Sequence, residues 1–172
     1  MRDIMLAVER LTSRLATASL YIAGAGLVLM TVIVFAQVFV RYILNTSLHW
    51  AEPSAVLIMG WFIFLGAAVG IREGSHLSFD VALHYAPGWM KSVFHTISDI
   101  AIGAFGIGMV WYGWQLAAKA ASNTIPGLGV SRALDFAPII GGGVILVLFS
   151  AERILRRICG LQTLRFGDHV EE

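Results

Sequence analysis

The few charged residues of this chain fall in clusters, and the uncharged stretches between them have membrane dimensions. Arg14 and Arg41 enclose 26 uncharged residues, Glu52 and Arg72 enclose 19, Asp99 and Lys119 another 19, and Asp135 and Glu152 enclose 16. A helix crossing the hydrocarbon core needs about 20 largely apolar residues. Three gaps reach that length directly, and the fourth reaches it with flanking residues such as Leu134 and Ile154. The spacing predicts an all-α integral membrane protein with four transmembrane helices near 15–40, 53–72, 97–120 and 135–157, in a single domain over 1–172. Barrel strands are excluded, because they would show short alternating segments in place of continuous apolar runs.

Composition removes other classes. Apolar residues make up 58% of the 172 and charged ones 13%, about half the charged share of a soluble domain. A net charge of +1 argues against a nucleic-acid binder, which would carry a basic excess. The single cysteine, Cys159, leaves no internal disulfide framework and no CxxC metal site. The first apolar stretch is longer than the core of a cleaved signal peptide and lacks a small-residue cleavage site. Residues 1–15 read as a helical lead-in, with Ile4, Val8, Leu11 and Leu15 on one stripe, lying in the interface before the chain turns into the bilayer.

Orientation follows from Lys and Arg. One side carries nine of them: Arg2, Arg10, Arg14, Arg72, Lys91, Arg153, Arg156, Arg157 and Arg165. The other carries three: Arg41, Lys119 and Arg132. Both termini are therefore expected in the cytoplasm. Tyr42, Trp50, Trp111, Tyr112 and Trp114 fall near the outer boundary, and Tyr85 and Trp89 near the inner one, as an interfacial belt. Trp61 sits mid-span and is expected to pack against another helix or a partner.

The link 41–52 is short, so the first two helices should be antiparallel neighbours. Arg41 ends one and Glu52 begins the next, each with the sign its helix end favours, and the two could pair across the hairpin. Pro53 suits the first helical turn. The link 72–96 would place His76, Asp80 and His84 on one stripe of a short amphipathic cytoplasmic helix that stops at Pro87-Gly88. His-x3-Asp-x3-His could supply three metal ligands, but no dedicated fourth is visible. No histidine lies in a span core, so axial ligands for a haem within the bilayer are missing. No cofactor and no catalytic centre are expected.

Asp99 is the one acid near a span interior. It lies either in the first turn of the third span or just inside the boundary. An acid deep in a membrane suggests function, yet near a helix N-terminus the dipole favours it and it can reach water. Ala16, Ser19, Ala23 and Gly26 form a small-residue stripe on the first span. Gly66 and Gly70 form a GxxxG on the second. Gly103, Gly106 and Gly113 lie on related turns of the third, and Gly141 to Gly143 loosen the fourth. Small residues allow close helix approach. No span carries an internal charge pair or a polar stripe that would line an aqueous route.

Val38-Phe39-Val40-Arg41-Tyr42, His49-Trp50-Ala51-Glu52, Gly60-Trp61-Phe62-Ile63-Phe64-Leu65-Gly66-Ala67-Ala68 and Arg72-Glu73-Gly74-Ser75-His76-Leu77-Ser78-Phe79-Asp80 occur in that order. This succession resembles the small, DctQ-type membrane subunit of tripartite ATP-independent periplasmic (TRAP) transporters. The local match covers about 45 residues, and the four-span topology extends it over the chain. One departure is Pro53, where the family often has a second acid. The resemblance implies a large membrane subunit that carries the substrate and sodium sites. It also implies a periplasmic binding protein that delivers an organic acid, and membrane lipid around the assembly. The chain itself would be a scaffold in the bacterial or archaeal inner membrane. Arg41, Trp50, Glu52, Trp61, Gly66, Gly70, Arg72, His76 and Asp80 are its candidate structural or partner-facing residues. The competing reading is an autonomous proton-coupled transporter using Asp99 or Glu52, and a third is a metal or redox protein using His76, Asp80 and His84.

Overall fold

Long apolar runs in lipid must satisfy their backbone groups internally, which leaves the helix as the only open option. The computed structural model describes residues 2–72 and 88–158, with side chains described for 10–72 and 93–156. Four helices dominate: α1 (Arg2–Ile43), α2 (Ala51–Arg72), α3 (Gly88–Ala120) and α4 (Ala137–Ile158). A short 3-10 helix, Arg132–Phe136, leads into α4. The stretches Arg10–Ile43, Ala51–Arg72, Val93–Ala120 and Arg132–Arg156 are each long and apolar enough to cross a membrane. The amphipathic helix expected between the second and third spans, with His76, Asp80 and His84, lies outside the described residues.

Helix α1 corrects one expectation. Its 42 residues rise without a break through about 63 Å, so no separate lead-in turns into the bilayer. Of the predicted apolar stripe, Leu15 packs against the core while Leu11 stays 60% exposed beside the buried Thr12. The packed stripe is Thr12, Ala16, Ser19 and Ala23, continued by Gly26, whose Cβ would stand 3.4 Å from Phe62. Alternating steps of four and three residues keep one seam on one partner. Small residues on that seam let α1 lie close along α2.

The helices form an open row in the order α1, α2, α4, α3. Helix α1 packs on α2, α2 on α4, and α4 on α3, while α1 and α3 occupy the two ends. Ala16, Ala68, Val69, Met109, Leu146 and Phe149 join all four helices in one apolar cluster. Glycines set the closest approaches. A Cβ on Gly106 would meet the Gly143 carbonyl oxygen at 2.9 Å, and one on Gly143 would meet that of Gly106 at 2.8 Å. Gly142 faces Phe64 and Gly141 faces the Trp61 ring. Gly141 to Gly143 therefore do not loosen α4, which is unbroken; they admit α2 on one side and α3 on the other. Gly66 and Gly70 behave differently, since a Cβ on either meets nothing within 4 Å.

Much of the remaining surface is apolar and uncovered by this chain, including Phe35, Phe105, Ile107 and Trp114. For a soluble domain so large an apolar surface would be a liability; around a membrane span it is the lipid-facing or partner-facing skin.

Candidate functional site

Both ends of the row carry polar chemistry, and the two ends differ. At the end where α2 stops, five charged side chains come together. Helix α4 contributes Glu152, Arg153 and Arg156, α2 contributes Arg72, and α3 contributes Asp99, all buried. The two oxygens of Glu152 are divided between two arginines. Oε2 accepts from Arg72 Nε at 3.4 Å, and Oε1 accepts from Arg156 Nε at 3.2 Å. Arg72 also stacks over the Phe149 ring, with Cζ 5.5 Å from its centre.

Arg153 bridges in two directions. Its Nε stands 3.2 Å from Asp99 Oδ1, and its Nη1 donates to the Ile71 carbonyl at 2.5 Å. The last carbonyls of a helix lack intrahelical partners, and a cation there also meets the negative end of the dipole. Ser150 Oγ donates to the backbone carbonyl of Asp99. This stretch of α4 thus holds the end of α2 and the Asp99 turn of α3. Three arginines against two carboxylates leave an excess of one positive charge, on the side that the Lys/Arg distribution assigns to the cytoplasm.

This cluster corrects two expectations. The spans do share charge pairs: two are formed between helices and are invisible in any single span, and the third, Glu152–Arg156, lies within the last turns of α4. Asp99 does not sit in the first turn of its helix, because α3 starts at Gly88. Its partner is Arg153, not the dipole. The signals that could have found the cluster were the lone acid Asp99 and the Glu152/Arg156 pair at i,i+4, read together.

At the other end, α1 and α2 are joined by residues 44–50. Asn45 takes a left-handed backbone conformation (φ 47°), which Asn tolerates better than most residues. Ser54 closes the first turn of α2, its Oγ donating to the Trp50 carbonyl at 2.7 Å. Beside this link lies a polar cleft of about 580 Å³, lined by Gln37, Arg41, Asn45, Ser47, His49 and Glu52 among others. It shares Gln37, Arg41 and Glu52 with a second cleft of about 470 Å³ that descends between α1 and α2 past Val34 to Met30 and Met59. Arg41 and Glu52 are both exposed. They line the same clefts, yet the ion pair that the hairpin could have formed between them is absent among the described residues.

The loop 121–131 reaches toward the same end. Gly127 (φ 85°) and Gly129 (φ 68°) take left-handed conformations. Gly127 lies so close to the His49 carbonyl that a Cβ would collide with it. Ile125 is buried beneath the loop, and Ser131 ties it down, donating to the Ala121 carbonyl at 2.9 Å and accepting from Ala133 N at 3.3 Å.

The candidate residues thus fall in four places. Arg41 and Glu52 line the polar cleft, the outer one on the Lys/Arg rule, and Trp50 is an exposed residue of the adjoining link. Trp61 rests its ring on Gly141, as a mid-span tryptophan that packs against another helix. Gly66 and Gly70 face open space, and Arg72 lies in the buried cluster. His76 and Asp80 lie outside the described residues. Among the described residues, no three His, Cys, Asp or Glu side chains gather as a metal site requires.

Comparison with known proteins identifies the family. Residues 30–160 match the DctQ component of the tripartite ATP-independent periplasmic transporters. A C4-dicarboxylate TRAP transporter small permease protein of Vibrio cholerae is 28% identical over 86 residues, half of this chain and 37% of that protein. A Haemophilus influenzae protein, provisionally named a TRAP transporter small permease protein, is 28% identical over 133 residues, covering 77% of this chain and 80% of its own length. The chain thus spans little more than a third of the Vibrio relative and four-fifths of the Haemophilus one. A match over most of the sequence, on four apolar helices in this order, makes the chain a member of the DctQ family of small TRAP transporter membrane components.

Proposed function

We propose that the chain is the stationary scaffold of a TRAP transporter. In this reading it supports a large membrane subunit that performs sodium-coupled uptake of an organic acid, which a periplasmic binding protein delivers. The chain performs no catalysis of its own.

The observation that carries this reading is the open row with the five charges of its α2 end buried among the helices. The buried charges at the α2 end pair with one another, and the core between the two ends is apolar. Among the described residues that interior is mainly apolar, with Thr12 and Ser19 the buried polar side chains of α1, and it supports packing. A row also exposes far more flank than a closed bundle does, and a moving domain needs a broad fixed surface to slide against. Gly66 and Gly70, where a side chain would meet open space, give α2 a smooth stretch that suits a closely approaching helix.

Co-expression tests it. A tagged copy of this chain, produced with its genomic neighbours, is expected to retain a large multi-span protein through purification. Uptake in cells should require both chains. Recovery of this chain alone, or full transport in its absence, would overturn the scaffold reading, and flux through the purified chain alone would favour an autonomous carrier.

A further inference from the structure

The outer cleft presents a pairing of charge and shape that the scaffold role does not use. Arg41, at the end of α1, and Glu52, at the start of α2, both line it, exposed and not paired with each other. Two opposite charges held apart over one cleft match a ligand that is itself a zwitterion, with an anion for the guanidinium and a cation for the carboxylate. Below them the cleft loses its polarity and continues as a groove between the helices, past Val34 to Met30 and Met59. Such a gradient, charged at the mouth and oily at the floor, is that of a single lipid molecule.

The dimensions agree. From Arg41 to Met30 the rise along α1 is about 16 Å, close to the roughly 15 Å of hydrocarbon in one leaflet. Tyr42, exposed, lines the groove near Arg41, and such aromatics settle at headgroup level. The charged mouth therefore lies where phosphates lie, and the apolar floor ends near the bilayer midplane.

We propose that this groove binds one phospholipid whose headgroup carries a phosphate and a primary ammonium, of the phosphatidylethanolamine class. Arg41 takes the phosphate, in the bidentate manner open to a guanidinium. Glu52 takes the ammonium, and an acyl chain fills the groove between Val34 and Met59. The headgroup chemistry discriminates. Phosphatidylglycerol brings no cation to Glu52, and its phosphate is repelled there. Phosphatidylcholine brings a cation with no N–H to donate. The inference does not depend on the scaffold role.

Native mass spectrometry of the purified full chain, incubated with equimolar dioleoyl phosphatidylethanolamine, phosphatidylglycerol and phosphatidylcholine, tests it. One phosphatidylethanolamine is expected to be retained in preference to the other two. Glu52→Gln should lower the ethanolamine-to-glycerol retention ratio about threefold to tenfold, the scale of a charge-assisted contact at a partly open site. Arg41→Gln should weaken retention of all three lipids. Equal retention of the lipids by the natural chain, no retention, or a ratio unmoved by Glu52→Gln would each overturn the proposal. A second measurement does not rely on those variants. With a benzophenone amino acid in place of Val34, irradiation of whole cells should yield an adduct of phospholipid mass. An adduct with a protein, as expected if a partner's helix fills the groove, or the lack of any lipid adduct, would overturn it.

Discussion

Asp99 and Arg153 offer the sharpest test of how the row is fastened. Asp99 is 1% exposed and its partner 8%, so neither charge has water to fall back on. Asp99→Ala removes the carboxylate 3.2 Å from Arg153 Nε and leaves the guanidinium buried, with the Ile71 carbonyl as its hydrogen-bond acceptor. Breaking a buried pair from one side costs about 3–5 kcal/mol, because a charge is stranded. The Ser150 bond to residue 99 uses the backbone carbonyl and survives the change. Removing both charges should behave differently. Asp99→Leu with Arg153→Met strands nothing, and replacing a buried pair by apolar groups is about neutral. A cycle of single and double variants, unfolded reversibly by SDS in mixed micelles and followed by far-UV circular dichroism, measures the coupling. The exposed pair Arg132–Asp135, at 3.6 Å with side chains 53% and 33% exposed, is the internal control; Asp135→Ala should cost less than about 1 kcal/mol. The reasoning fails if Asp99→Ala unfolds like the control, or if the double variant is as unstable as the single one.

Three further outcomes follow from backbone contacts. Gly143→Leu, with its Cβ 2.8 Å from the Gly106 carbonyl oxygen, should force α3 from α4 and cost about 2–3 kcal/mol; Gly108→Ala, where a Cβ meets nothing within 4 Å, should be neutral or slightly stabilising in the same SDS titration. Gly127→Ala combines a left-handed φ of 85° with a collision against the His49 carbonyl, so a loss of about 2 kcal/mol or more is expected; proteolysis of the 121–131 loop should accelerate. Gly66→Leu should leave the isolated chain as stable as before, since its Cβ points into open space, yet lower recovery of the large subunit in co-purification; unchanged recovery would remove that face of α2 from the contact surface.

The number and rough limits of the spans were legible because lipid admits so few solutions. Runs of uncharged residues between Arg14 and Arg41, or Glu52 and Arg72, translate almost directly into helices. The small-residue stripe Ala16, Ser19, Ala23 and Gly26 was also legible, and it forms the α1–α2 seam. What lay beyond reach was which helix neighbours which. Two glycine patterns that look alike in the sequence have opposite fates: Gly106 meets Gly143 face to face, while Gly66 and Gly70 meet nothing. The charged cluster was hidden for the same reason. Asp99 and Arg153 belong to different helices, Arg72 and Glu152 are 80 residues apart, and only the order α2, α4, α3 makes them neighbours. Orientation counts treated Arg153 and Arg156 as markers of the cytoplasmic side, although they are buried structural links.

The position of that cluster also bears on how the chain enters the membrane. An Arg or Asp carried to the middle of a bilayer costs roughly 2.5–3.5 kcal/mol on insertion scales. Arg72 trails at the end of α2, Asp99 lies toward the start of α3, and Glu152, Arg153 and Arg156 trail at the end of α4, all at the end facing the ribosome on the Lys/Arg rule. None of the five has to be translocated. The arginines and carboxylates can meet only once α4, the last helix made, lies beside α2. A chain stopped before α4 would leave Arg72 and Asp99 without Glu152 and Arg153 and the row unfastened.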